Sequence, residues 1–405
     1  MPIGYSQLPP LLPVAGLRLA AVAAGIRYQG RDDLVVMEIS AGANTAAVFT
    51  RNAFCAAPVS VAREHLADAM PRYLVINSGN ANAGTGAGGL EDARQSCLAL
   101  ARLGACEAHE VLPFSTGVIG QRLAVDRLQA ALPAVLAALS ADGWTAAANA
   151  IKTTDTVAKG VSTTLEIEHR KITITGICKG AGMIRPDMAT MLAYIGTDAS
   201  VDAAALQQCL QAAVERSFNR ITVDGDTSTN DACVLVATGA CGLPAMRAGD
   251  ADYALFCDAV AGVCERLAQL IVRDAEGATK FVTVNVAGGS DSGECLQVAY
   301  TVAQSPLVKT ALFASDPNWG RILAAVGRAG LTDLDVNAVQ IYLGDVCIVR
   351  DGGVADDYRE ADGQRVMDEA EILIDIRLGR GKACERIWTS DLSHDYVRIN
   401  AEYRS

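Results

Sequence analysis

The sequence predicts a mixed α/β protein in which helices are layered on β-sheets. Short apolar runs rich in β-branched residues, which are typical of buried strands, occur along the whole chain. They are mixed with longer segments whose apolar residues recur every three or four positions, the period of an amphipathic helix. No repeat of solenoid length interrupts this pattern, so we expect sheets covered by helices.

The individual elements follow from these two periods. Buried strands are predicted at residues 35–39, 46–50, 73–77 and 110–114, and a hairpin is predicted around a charged turn at residues 169–171, with its second strand at 172–177. Helices are predicted from about Glu91, at residues 128–139 and 206–214, and from Leu255 to near Asp274. A last set of strands is predicted at residues 339–343, 346–349, 372–376 and 397–399.

Composition excludes several classes of protein. The chain has 405 residues, enough for two to three domains of about 150 residues, and 51% of them are hydrophobic. Its 34 basic and 46 acidic residues give a net charge of −12, which disfavours nucleic acids and anionic membrane surfaces as partners. The first 26 residues lack the basic start and clean apolar run of a signal peptide or membrane anchor, so we expect a cytoplasmic protein.

The cysteines point to a reduced protein without a metal. All 12 are dispersed with no CxxC pair, and several lie in apolar runs, as buried thiols do. Cys106 and His109 have the spacing of metal ligands, but no second pair accompanies them. We therefore expect neither a disulfide framework nor a zinc site.

A glycine-rich segment follows the third predicted strand. Gly84, Gly86 and Gly89 satisfy the pattern GxGxxG, which favours a nucleotide-dependent oxidoreductase as one alternative function. However, the first of these glycines lies seven residues beyond Asn77 instead of in a tight turn, and the next predicted strand ends without a carboxylate for a ribose. We expect a loop that lines a substrate site.

Two further segments carry groups suited to acyl transfer. Thr116 and Gly117 follow a predicted strand, where a hydroxyl and a backbone N–H can donate to an oxyanion, although the same tripeptide is also typical of a turn. The stretch KGAGMIRPDMATML at residues 179–192 joins two apolar segments through two glycines and a proline. If Thr190 attacked the carbonyl of Ala189, the chain would be cut there, and Thr190 would gain an α-amine with a pKa of about 7.7–8.0, suited to a general base. A β-branched threonine that simply opens a strand is the alternative.

These segments resemble the ornithine acetyltransferases (glutamate N-acetyltransferases) of arginine biosynthesis. The resemblance extends over nearly the whole chain, and its motifs occur in order. They are VINSGNANAGTG at 75–86, PFSTGVIG at 113–120, KTTDT at 152–156, KGAGMIRPDMATML at 179–192, ITVDGDTSTND at 221–231, RDAEGATK at 273–280, DPNWGRILAA at 316–325 and YVRINAEYRS at 396–405.

The resemblance implies a role for particular residues. Thr190 would be the nucleophile after self-cleavage between Ala189 and Thr190, and Thr116 and Gly117 would form the oxyanion hole. The substrate-binding residues would be Thr153, Lys179, Thr190, Glu276, Asn400 and Ser405. Among them Lys179 offers a cation for a carboxylate and Glu276 an anion for an amino group. The family usually has Asn where Asp187 stands, and an anion near the scissile carbonyl is expected to slow cleavage.

The resemblance also implies a fold, a reaction and an assembly. The fold would be a layered α/β sandwich of the self-processing type with a smaller C-terminal lobe at about residues 285–405, shared by an α chain (1–189) and a β chain (190–405). The enzyme would move acetyl from N2-acetyl-L-ornithine to L-glutamate without a metal or cofactor, with acetyl-CoA as a further donor in bifunctional members. Two αβ pairs would form a heterotetramer.

Two other functions stay open from the sequence. A self-cleaving amide hydrolase or aminopeptidase would use the same nucleophile and would pass the acyl group to water. A non-catalytic remnant that serves as a scaffold is disfavoured, because every implied catalytic position carries the group it needs.

Overall fold

The computed structural model describes residues 2–185 and 191–402, and within them the chain forms three β-sheets and eleven helices. The strands are β1 (Leu17–Val22), β2 (Leu34–Ile39), β3 (Asn44–Phe49), β4 (Tyr73–Asn80), β5 (Val111–Val118), β6 (Lys159–Ile167), β7 (Arg170–Lys179), β8 (Leu192–Thr197), β9 (Ala232–Ala237), β10 (Phe281–Gly289), β11 (Gln340–Leu343), β12 (Val346–Arg350), β13 (Gly353–Val354), β14 (Glu371–Arg377) and β15 (Ala383–Ser390). The helices are α1 (Ala57–Asp68), α2 (Gly86–Gly104), α3 (Val125–Ala137), α4 (Trp144–Ala150), α5 (Ala203–Arg216), α6 (Ala251–Arg273), α7 (Ser292–Ala303), α8 (Pro306–Phe313), α9 (Trp319–Gly327), α10 (Glu360–Met367) and α11 (His394–Ala401).

Two sheets pack against each other in the larger part of the molecule. One has the strand order β1-β2-β4-β5 and the other β3-β9-β8-β7-β6. Apolar side chains from both sheets form one core between them, in which the rings of Phe114 on β5 and Tyr194 on β8 meet edge to face at 5.3 Å. The strands β4, β8 and β9 are buried along their whole length because each contributes side chains to a core on both faces.

Helices cover the outer faces of both sheets. The apolar faces of α2 and α3 pack on the first sheet, and those of α5 and α6 pack on the second. The 23-residue helix α6 buries Phe256, Val260, Leu267 and Ile271, which recur at helical spacing. The result is the predicted layered α/β sandwich.

The third sheet forms the smaller C-terminal lobe. Its order is β13-β12-β11-β14-β10-β15, with β10 parallel to β14 and antiparallel to β15. Helices α7, α8 and α9 close a separate apolar core on one face. The last helix, α11, lies after this sheet and returns the chain toward the sandwich, where Tyr396 donates a hydrogen bond to Asp224 at 3.2 Å.

Some sequence predictions differ from the structure. The strand predicted at residues 397–399 is wrong, because these residues lie in α11, where Ser393 caps the helix and Val397 is 63% exposed. The helix predicted from Glu91 begins at Gly86, so the last glycines of the GxGxxG segment form its first turn. None of the described helices has the length and hydropathy needed to cross a membrane.

Candidate active site

A cavity of about 240 Å³ lies where the two sheets of the sandwich meet the C-terminal helix. Its walls come from the end of β5, the end of β7, the loop before β9, the connection from α6 to β10, and α11. Six of the predicted site residues line this one cavity, although they are widely separated in sequence: Thr116, Gly117, Thr153, Lys179, Glu276 and Asn400.

Thr116 and Gly117 lie inside β5, not in a turn after it as the sequence suggested. Gly117 has a φ of +136°, and a Cβ built on it would lie 2.2 Å from the backbone carbon of Gly79 on the neighbouring strand β4. Only glycine therefore fits, and its backbone runs directly along β4 at the cavity wall. Thr116 and Gly117 thus lie together at one wall of the cavity, where the resemblance implies an oxyanion hole.

Asn230 fixes this end of β5 from the opposite sheet. Its side-chain amide donates to the carbonyl oxygens of Ser115 at 2.9 Å and Ala81 at 2.6 Å. Asn230 is 6% exposed, so both hydrogen bonds are shielded from water. These hydrogen bonds connect the wall that contains Thr116 and Gly117 to the loop that precedes β9.

Glu276 and Asn400, two of the substrate ligands that the resemblance implies, contact each other in another wall of the cavity. The Asn400 amide donates to Glu276 Oε2 at 2.7 Å, and the backbone N–H of Glu276 donates to the carbonyl of Ala181 at 2.9 Å. A Cβ on Gly182 would lie 2.4–2.6 Å from the Glu276 carboxyl atoms, so the glycine leaves room for that carboxylate. Three separate segments therefore meet at one negative charge.

Lys179 is the cation of the cavity. Burial lowers its pKa below the usual range, Asp155, Asp231 and Glu276 act in the opposite direction, and Lys159 adds to the lowering. Asp231, also in the wall, has its pKa raised well above the usual range by burial, which Lys179 partly offsets. Its Oδ2 has no hydrogen-bond partner among the described residues. A partly desolvated ammonium is well suited to hold a carboxylate.

A buried cluster of three charged side chains lies next to the cavity. Lys159 Nζ lies 2.5 Å from Asp155 Oδ1 and 2.5 Å from Asp274 Oδ2, and all three side chains are enclosed. Burial by itself would raise the pKa of Asp155, but Lys159 and Lys179 hold it well below its usual range. Asp155 is therefore a carboxylate at neutral pH.

Asp224 anchors the segment that leads to the predicted cleavage site. Its carboxylate accepts hydrogen bonds from the backbone N–H groups of Met183 at 2.6 Å and Ile184 at 2.8 Å, and from the Tyr396 hydroxyl. Met183 has a φ of +56°. One side chain thus joins the loop after β7 to the C-terminal helix.

Sequence reasoning missed several residues around the cavity. Asp155, Asp224, Asn230 and Asp231 lie in the motifs KTTDT and ITVDGDTSTND, which carried the resemblance but suggested no separate role for these residues. The predicted residues Ala189, Thr190 and Ser405, and also Asp187, lie outside the described residues. In the described parts of the chain, no group of three His, Cys, Asp or Glu side chains is placed to hold a metal ion.

The chain is similar to known proteins over its full length. The model of the ArgJ family matches residues 18–405. Two relatives, from Pseudomonas fluorescens (strain Pf0-1) and Pseudomonas syringae pv. tomato, are 55% and 56% identical over 406 residues, which is 100% of this chain and of each relative. Both are named arginine biosynthesis bifunctional protein ArgJ.

A solved structure matches part of the chain. It is the crystal structure of the arginine biosynthesis bifunctional protein ArgJ from Bacillus halodurans, with 37% identity and a TM-score of 0.50. The match covers 52% of this chain and 98% of that chain.

Proposed function

The chain belongs to the ArgJ family, and on this premise we propose that it is an acetyltransferase of arginine biosynthesis that moves acetyl from N2-acetyl-L-ornithine to L-glutamate. One observation carries the proposal. Six residues to which the resemblance assigns oxyanion or substrate contacts, and which are spread from Thr116 to Asn400, line a single cavity. The cavity offers a cation, an anion and hydrogen-bond donors, which together suit an N-acetylated amino acid.

The first half of the reaction forms an acetyl-enzyme. Thr190 Oγ attacks the acetyl carbonyl of acetylornithine, and the α-amine of Thr190 accepts the hydroxyl proton. The negative oxygen of the tetrahedral intermediate accepts hydrogen bonds from the Thr116 hydroxyl and the Gly117 N–H. The C–N bond then breaks, the α-ammonium returns its proton to the leaving nitrogen, and ornithine departs.

The second half reverses these steps with another amine. The neutral amino group of glutamate attacks the ester of the acetyl-enzyme, and the same donors stabilise the oxyanion. The Thr190 oxygen leaves and recovers a proton, so that N-acetyl-L-glutamate is released. Lys179 binds the carboxylate of each substrate, Glu276 binds an amino group, and Thr153, Asn400 and Ser405 donate neutral hydrogen bonds.

The catalytic base requires self-cleavage. An internal Thr190 has an amide nitrogen, which is not basic, and only cleavage after Ala189 gives it an α-amine. The Bacillus halodurans match supports this step: almost all of that solved polypeptide corresponds to 52% of this chain. The proposed β chain, residues 190–405, is 216 of 405 residues, or about 53%.

We also propose that the enzyme acts in the cytoplasm as an α2β2 heterotetramer without a metal or resident cofactor. The name "bifunctional" in its relatives supports acetyl-CoA as a second acetyl donor. The donor is then a co-substrate, since the acetyl group reaches the same threonine by either route.

A transfer assay tests the function. Purified protein is incubated with acetylornithine, and release of ornithine is followed with and without glutamate, with acetyl-CoA as a parallel donor. We expect ornithine release to accelerate strongly with glutamate and N-acetylglutamate to form in equal amount. Equal release with and without glutamate would indicate a hydrolase of the amide hydrolase or aminopeptidase kind, and would overturn the proposal.

A further inference from the structure

Asp155 is a buried carboxylate that the proposed mechanism does not use. It lies directly behind the cavity, and its side chain is fully enclosed together with those of Lys159 and Asp274. Burying three charged groups is costly unless each is paired and hydrogen-bonded. The cluster meets that condition, because Lys159 Nζ lies 2.5 Å from an oxygen of each aspartate.

The oxygens of Asp155 hold two walls of the cavity. Oδ2 accepts a hydrogen bond from the backbone N–H of Thr153 at 3.0 Å, and Oδ1 accepts one from the N–H of Gly180 at 2.7 Å. Gly180 directly follows Lys179, and both Thr153 and Lys179 line the cavity. One carboxylate therefore fixes the backbone of two predicted substrate ligands that are 26 residues apart.

Asp155 is also the main charge that favours the Lys179 cation. The groups that face Lys179 are Asp155, Asp231, Glu276 and Lys159, and Asp155 contributes most among the acids. Burial raises the pKa of Asp231 and so disfavours its charged form, and Glu276 shares its charge with the Asn400 amide. The second aspartate of the cluster, Asp274, bonds Lys159, Thr156 and the N–H of Val157. None of these three residues is among those that line the cavity.

We propose that Asp155 is a positioning residue of the acetyl-transfer site, which holds the backbone at Thr153 and Lys179 so that both side chains meet the substrate, while Lys159 and Asp274 hold it in place. The inference rests on the proposed function, because there Lys179 binds the substrate carboxylate. It adds to that function a residue that touches no substrate and yet sets the pH range of binding.

The expected pH effect follows from the sign of the Lys179 shift. Burial lowers the pKa of Lys179, so its ammonium is fully present at low pH and is lost as pH rises through that pKa. Substrate binding through the cation therefore weakens on the alkaline side. Removal of the Asp155 charge lowers this pKa further, and the KM for acetylornithine then begins to rise at a lower pH.

The test compares Asp155→Asn with Asp274→Asn. Both variants change one aspartate of the same cluster and leave Lys159 with one carboxylate partner, but only Asp155 of the two bonds the N–H groups of Thr153 and Gly180. With saturating glutamate, we expect the KM of Asp155→Asn for acetylornithine to begin rising at a lower pH than that of wild type. On the alkaline limb it should exceed the wild-type KM by up to about tenfold, the limit for a pKa decrease of about one unit. Asp274→Asn should lose stability and keep the wild-type pH profile.

Asp155→Glu distinguishes the effect of the carboxylate's position from the effect of its charge. It also provides the test if Asp155→Asn does not fold. It retains the charge but lengthens the side chain, so KM should rise by a similar factor at every pH. The inference would be overturned if Asp155→Asn and Asp274→Asn had identical pH profiles of KM, or if the alkaline rise of KM in Asp155→Glu began at a lower pH than in wild type. Acetyl transfer by the wild-type enzyme would still support the proposed function in either case. Absence of transfer by wild type would overturn the function, and the inference with it.

Discussion

Gly182 stands where any side chain would collide with the carboxylate of Glu276. A Cβ there would lie within 2.6 Å of both carboxyl oxygens and the carbon between them, which is far closer than van der Waals contact. We expect Gly182→Ala to displace Glu276 and to break its hydrogen bond with Asn400. The KM for acetylornithine should rise by about tenfold, because a hydrogen bond to a charged group contributes about 1.5–3 kcal/mol.

Gly262→Ala is the matched control for Gly182→Ala. Gly262 lies in helix α6, and a Cβ there would meet no atom within 4 Å, so alanine should leave KM unchanged and stabilise the helix slightly. Steady-state kinetics of the two variants checks the prediction. A wild-type KM in Gly182→Ala would show that Glu276 does not bind the substrate from its position in the structure.

Sequence reasoning at the residue scale found groups that have a chemical role of their own. Thr116 was predicted for the oxyanion hole and Lys179 and Glu276 as substrate ligands, and the structure places all three at one cavity. It did not find Asp155, because that carboxylate acts through the N–H of Gly180, 25 residues away, and through Lys159. Lys159 in turn pairs with Asp274, 115 residues from it, and no spacing in the chain reveals such contacts. Positioning residues of this kind become visible only with the fold.

The loop before β9 is the element that connects the separate walls of the site. Its Asp224 holds the backbone of Met183 and Ile184, directly before the predicted cleavage segment, and accepts from Tyr396 on α11. We expect Asp224→Asn to slow self-cleavage and to destabilise the fold by about 1–3 kcal/mol, because an amide nitrogen cannot replace a carboxylate oxygen as acceptor. Time courses on denaturing gels and thermal unfolding measure both effects.

Asp226→Asn controls for the loss of a loop charge. Asp226 is exposed in the same loop, two residues further on. The Asp226→Asn chain should undergo self-cleavage at the wild-type rate. If Asp224→Asn also cleaved and unfolded as wild type does, the loop would not organise the segment after β7.

Most elements could be predicted from periodicity, and the errors have local causes. The run at residues 397–399 alternates like a strand, but the Ser393 cap and the acid-first, base-last order of charges at Asp395 and Arg398 favour the helix that forms. The strand β5 continues through Thr116 and Gly117 because pairing with β4 outweighs the turn tendency of those residues. Neither result follows from an isolated window of sequence.

The predicted cleavage site lies between two strands that pair with each other. β7, before the site, runs antiparallel to β8 after it, and β3 pairs with β9 in the same sheet. The apolar core under that sheet also contains residues from both sides. We expect the α and β chains to elute together in size-exclusion chromatography after cleavage and to unfold in one transition.

Separation of the two fragments in buffer without denaturant would contradict this expectation. A Thr190→Ala chain, which should remain uncleaved, provides the elution volume of an intact molecule. Cleaved wild type should elute at the same volume, since cutting one peptide bond removes none of the strand pairs.

At the scale of the molecule, the sequence predicted the fold class but not the strand order. Alternating periods indicate sheets and helices, and the layered α/β sandwich with its smaller lobe is confirmed. The order β3-β9-β8-β7-β6 joins strands about 190 residues apart, and such long-range pairings depend on burial of whole faces that no local pattern encodes.

The central claim is that a chain cleavage creates the base and the nucleophile on one residue. Intact-mass spectrometry of active enzyme, before and after acetylornithine without an acceptor, tests it most directly. We predict two masses that correspond to residues 1–189 and 190–405, with one acetyl group gained by the second fragment alone and lost again on addition of glutamate. A single uncut mass in fully active enzyme, or an acetyl group on the first fragment, would contradict the account.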